Sequence, residues 1–144
     1  MQTMLKTMQS MSFENGVVTI WKDILGYEGL YQVSDSGRVR KICSDGSYKS
    51  MKLQTSTIGY RLVGLTKDHK TTLLYVHRLV LECFVGLPDK NPDGTELRTS
   101  PECNHKDGVR SNNHYSNLEW CDRYYNNSHR RPSSEWNFKK RGNK

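Results

Sequence analysis

The stretch from Asn104 to Trp120 limits most tightly what this chain can fold into. It crowds histidine, acidic and amide side chains around the turn dipeptide Asp107-Gly108. Glu102 to His105 reads as a short extended segment, and Leu118-Glu119-Trp120-Cys121 as a returning strand. Asp122 suits a helix N-cap, so residues 123 to about 130 form a helix that Pro132 ends. The expected unit is strand, loop, strand, helix, and such polar clusters commonly bind a metal.

The rest of the chain reads as mostly β. Leu30–Val33 and Arg38–Ile42 alternate across Ser34-Asp35-Ser36-Gly37, a hairpin signal. Val39 falls on one face of that ribbon, with Arg38 and Arg40 on the other. Lys49–Leu53, Tyr60–Leu65 and Thr71–Val76 are further strand candidates, the last two joined across Lys67-Asp68-His69-Lys70. His77–Phe84 fits a short helix buried through Leu79, Val80, Cys83 and Phe84, and His77 is expected to make a structural hydrogen bond there. Leu87–Pro101 is a connector rich in Pro and Asp, expected to be the most mobile internal segment. Residues 1–20, with four methionines in the first twelve positions, read as a disordered leader.

Charge points to the partner. The 144 residues carry a net charge of +7. The excess lies outside the middle: residues 129–144 hold six basic residues against Glu135, whereas residues 82–109 hold six acidic and three basic. Such a chain favours a polyanion, because each neutralised phosphate releases counterions. Only 34% of residues are apolar, no run approaches the roughly 20 that a membrane helix needs, and there is no signal-peptide core. The expectation is an intracellular, cytoplasmic protein with no membrane partner. Cys43, Cys83, Cys103 and Cys121 form no C-x-x-C pair, which argues against an all-cysteine zinc site.

Asn104-His105-x-Asp107-Gly108, Asn112-Asn113 and Asn117-Leu118-Glu119-Trp120, with Asn126 nine residues beyond Asn117, resemble the HNH nucleases. The likeness is greatest to the phage homing endonucleases, whose site is a β-β-α metal finger. Upstream, Trp21-Lys22-Asp23-Ile24, Gly26–Ser34 and Gly37-Arg38-Val39 resemble the NUMOD4 module that often accompanies them. The resemblance implies an α+β fold: a β-rich DNA-binding module over 21–66, an HNH nuclease domain over 67–131 with its finger at 102–130, and a basic tail over 132–144.

The resemblance further implies a metal-dependent endonuclease acting on double-stranded DNA. It implies His105 as general base, since a histidine of ordinary pKa can take a proton from water at neutral pH. It gives Asn117 the task of orienting that base. Asn104 and Asn126 become ligands of one divalent cation, Mg²⁺ or Mn²⁺, which amide oxygens suit. Neutral Asn104 stands where many relatives have aspartate; Asp107 could supply a charge but reads first as a structural residue of the Asp-Gly turn, and His129 is a lesser candidate for a further ligand. Arg38, Arg40, Lys41, Arg61, Arg78, Arg110, Arg123, Arg130 and Arg131 are the candidate DNA contacts. A single site implies a monomer that nicks one strand, and about fifteen residues past the finger leave no room for a helix-turn-helix module. Two other readings stay open: a DNA-binding regulator with a degenerate site, and an RNA-binding or structural protein.

Overall fold

The structure is a computed structural model that describes residues 9–128. It begins with a five-stranded antiparallel meander: β1 Gln9–Glu14, β2 Val17–Asp23, β3 Tyr31–Ser34, β4 Val39–Ile42 and β5 Tyr48–Ser50, in that order. A second sheet of three strands follows, with β6 Gln54–Thr55, β7 Arg61–Lys67 and β8 Lys70–Tyr75. The chain then enters helix α1, Val76–Val80, which runs on into a π-helical turn at Leu81–Val85. After a connector come β9 Glu102–His105, a 3-10 turn at Tyr115–Asn117, β10 Leu118–Cys121 and helix α2 Arg123–Ser128.

Residues 9–20 correct the expected leader. Glu14 pairs with Val17, so Asn15 and Gly16 form a two-residue hairpin turn, both with positive φ (51° and 78°). Asn-Gly is the dipeptide that this turn favours, because its twist matches that of the strands. The signal stood in the sequence, masked by the methionines before it. Residues 1–8 and the basic tail at 132–144 lie outside the described residues.

The hairpin expected at residues 30–42 is present, with Val33 opposite Val39. The β7–β8 hairpin turns through Asp68 and His69, again with two positive φ values, and it spans the boundary drawn between residues 66 and 67. The two segments share one core. Ile24, Tyr31, Val33 and Val39 meet Val63 and Leu65 of the second sheet, Val76, Leu79, Val80 and Leu81 around α1, and Leu118 and Trp120 of the finger. Thr66 N donates to the Tyr31 hydroxyl at 3.1 Å, fastening the second sheet to the first.

The connector is not loose. Asn91, 6% exposed, donates from Nδ2 to Asp122 Oδ2 at 3.1 Å and accepts from Asp122 N at 2.8 Å. Lys90 pairs with Glu96 across an isolated bridge, and Trp120 Nε1 donates to Gly86 O at 2.7 Å. Buried amide bonds of this kind bind a loop even where it lacks hydrophobic period.

Candidate active site

The finger is built by β9, β10 and α2. The register sets Leu118 opposite His105, Glu119 opposite Asn104, and Cys121 opposite Glu102. Because strand side chains alternate, His105 shares a face with Leu118, while Glu102, Asn104 and Glu119 lie on the other. Asp122 starts α2: its Oδ1 accepts from Tyr125 N at 2.8 Å and its Oδ2 from Arg98 N at 2.9 Å. Backbone donors from Tyr125 and Arg98 hold this carboxyl down at about 2.

The loop between the strands is tied by amides. Asn117 Oδ1 accepts from Asp107 N at 3.0 Å, and its Nδ2 donates to Asp107 Oδ1 at 2.9 Å and to Asn112 O at 2.9 Å. Asp107 also accepts from Val109 N and from Asn112 Nδ2 at 2.8 and 2.7 Å. Asn117 therefore fixes the path of the loop, while the contact with the His105 ring belongs to Asn113. Asn113, 3% exposed, places Oδ1 2.9 Å from His105 Nε2. Sequence shows both amides but not which one reaches the ring, since that depends on the loop's own hydrogen bonds.

An amide oxygen only accepts, so His105 carries its proton on Nε2 and presents the Nδ1 lone pair. Burial lowers the pKa of His105, against the opposing effects of the Asn113 hydrogen bond and of Asp107. The ring is therefore neutral at pH 7 and able to accept a proton.

Asn104 Nδ2 donates to Glu119 Oε2 at 2.8 Å, and Asn126 Nδ2 donates to Glu102 Oε1 at 3.1 Å. With their N–H groups turned to carboxylates, both asparagines keep an amide oxygen for a cation. Among the described residues no group of three or more His, Cys, Asp and Glu forms a metal cluster. The donors here are two amides and two carboxylates, all oxygen, which fits a hard divalent cation better than zinc. The charge missing at Asn104 is thus close by, on Glu119 and Glu102, rather than on Asp107, whose oxygens hold the loop. The sequence reading passed over both glutamates; strand alternation around Asn104 was the signal that would have found them. Burial pushes Cys103 and Cys121 up to about 12, so these thiols stay protonated at neutral pH. His129 lies outside the described residues.

His77 departs from its expected structural hydrogen bond. It is 8% exposed, and its Nδ1 is buried without a hydrogen-bond partner. Its ring lies edge-on to His105, with centroids 5.3 Å apart, inside a group formed with Tyr60 and Tyr75. Burial, followed by the proximity of His105 and Arg78, brings its pKa down to about 4.

The basic candidates are committed to different degrees. Arg40 is the most engaged: it donates to Gln32 and Ser10, and its guanidinium lies 4.1 Å from the Trp21 ring centroid and 3.6 Å from that of Tyr48. Arg38 donates to Glu14 and Thr19. Arg61 bonds Thr55, Arg78 lies over Trp120, Arg110 donates to Ile58 O and covers Tyr60, and Arg123 stands 3.9 Å from Glu102. Lys41 is exposed on β4. Arg130 and Arg131 lie outside the described residues.

Comparison with known proteins agrees with this geometry. The NUMOD4 motif matches residues 20–66, and the HNH endonuclease model matches residues 74–128. DNA endonuclease I-HmuI of Bacillus phage SP01 is 41% identical over 106 residues, covering 74% of this chain and 54% of that protein. A protein of Acanthamoeba polyphaga mimivirus described as an uncharacterized HNH endonuclease is 34% identical over 113 residues, covering 78% of this chain and 30% of its own length. The chain spans about half the length of the first of these relatives and under a third of the second. A solved structure of I-HmuI, described as an HNH homing endonuclease in a study of DNA binding and cleavage, superposes with a TM-score of 0.61 at 34% identity, covering 85% of this chain and 67% of that one. The α+β arrangement of a β-rich front and a β-β-α finger, the motif spacing and these likenesses together show that the chain belongs to the HNH homing endonuclease family.

Proposed function

We propose that this protein is a divalent-cation-dependent endonuclease that hydrolyses a phosphodiester bond in double-stranded DNA. The observation that carries the reading is the bond between Asn113 Oδ1 and His105 Nε2, which leaves His105 Nδ1 free to take a proton from water. The resulting hydroxide attacks phosphorus in line with the departing 3′ oxygen, giving 5′-phosphate and 3′-hydroxyl ends. Asn104 and Asn126 would hold the cation, Mg²⁺ or Mn²⁺, with the carboxylates of Glu119 and Glu102 beside them. Such a cation supplies charge stabilisation at the phosphate and at the leaving oxygen.

One finger supports one cut, so a monomer nicks a single strand. The exposed bases Lys41, Arg78 and Arg123 suit the DNA backbone, and the reaction belongs in the cytoplasm beside its DNA substrate. The test is plasmid nicking with Mg²⁺ and with Mn²⁺: open circles should appear with at least one of them and vanish with chelator. No nicking with either metal would sink the enzyme reading. The neutral Asn104 favours a second reading, a DNA-binding regulator without activity, and that same outcome together with retained DNA binding selects it.

A further inference from the structure

We propose that His77 is a second substrate-contacting imidazole, donating a hydrogen bond from Nε2 to a non-bridging oxygen of the scissile phosphate. The inference rests on the nuclease reading above. It starts from an anomaly of polarity: His77 Nδ1 is a buried side-chain nitrogen with no hydrogen-bond partner. Leaving such an atom unmet is costly, and native proteins tolerate few. Packing alone gives no reason for it, since a phenylalanine would fill the space beside Tyr60 and Tyr75 without the penalty.

Location supplies the reason. The ring abuts His105 at 5.3 Å between centroids, so His77 lies beside the imidazole that the nuclease reading sets at the phosphate. A buried N–H left unmet is rarer than an unmet acceptor, which puts the bare lone pair on Nδ1 and the proton on Nε2. That N–H is then the ring's hydrogen-bond donor, and the reaction brings an anion to this corner. The imidazole stays uncharged to about pH 4, so it places no second positive charge against His105 as that ring takes up its proton. A fixed neutral donor at a phosphoryl oxygen stabilises charge that grows in the transition state.

The test uses the full chain and a duplex spanning a nick site mapped on plasmid DNA, with sulfur replacing one or the other non-bridging oxygen, in Mn²⁺. Wild type should cleave one sulfur diastereomer more slowly than the other. His77→Phe should melt at the same or a higher temperature and bind the duplex, yet cleave about 100-fold more slowly, with the diastereomer preference reduced. His77→Gln, which keeps an N–H donor, should recover part of the rate, and it decides the matter if the phenylalanine variant does not fold. Cleavage by His77→Phe at the wild-type rate would overturn the proposal, as would a slower rate with the preference intact. A wild type that cuts nothing would overturn the nuclease reading as well, which separates the two failures.

Discussion

Asn113 decides which nitrogen of His105 is left free, and a buried amide does this with one hydrogen bond. His105→Ala should lower the rate of nicking by two to four powers of ten, roughly the scale of a lost general base, while DNA affinity in a filter or gel assay stays near wild type. Retained activity would move the base elsewhere. His77 gives a prediction about stability. Its pKa is about 4 in the fold against roughly 6.5 in the unfolded chain, so the unfolded state binds more protons between these values. Stability from this residue is therefore full above pH 6.5, falls as pH is lowered toward 4, and flattens below, by about 3 kcal/mol in all. Denaturant melts at pH 7 and pH 4 check this, and His77→Phe should remove that part of the loss.

The elements of the finger depend on polar fastening as much as on apolar packing. Asp122 caps α2 and also holds the connector through Asn91 and Arg98. Asp122→Ala should lower Tm by about 5 °C or more, as thermal melting would show, because a cap and a loop anchor are lost together. Much of this was legible in the sequence. The alternation at Leu30–Ile42, the Asp-Gly turn, the spacings to Asn117 and Asn126 and the cap at Asp122 all appear as local patterns, and local patterns survive folding. What escaped were contacts between distant segments. Nothing near His77 announces that it will meet His105, and nothing at Asn91 announces Asp122. Asn104 beside Glu119 is a middle case, since cross-strand pairing follows from register once both strands are placed. Arg40 is a case of another kind: a basic residue on a strand reads as a phosphate contact, and the structure also gives its guanidinium Trp21, Tyr48, Gln32 and Ser10 as partners.

At the scale of the whole molecule, the net charge of +7 would make the proposed binding to DNA dependent on salt, and the basic residues differ in how far their partners within the fold already engage them. Lys41→Ala should flatten the slope of log affinity against log salt by about one. Arg40→Ala should instead lower Tm and leave that slope nearly unchanged; a reversed result would return Arg40 to the DNA interface. The two segments also touch through a turn. Gly37, at φ +93°, lies so close to the finger that an added Cβ would stand 2.7 Å from Asn113 Cβ, and Tyr115 N donates to Asp35 O at 2.9 Å. Gly37→Ala should accordingly reduce nicking about tenfold or more while binding changes little, because it displaces the residue that holds His105. A domain exchange would meet the same seam. A front segment borrowed from another nuclease would have to bring a glycine at this turn and a free carbonyl two residues before it, or the hybrid would hold its target and fail to cut.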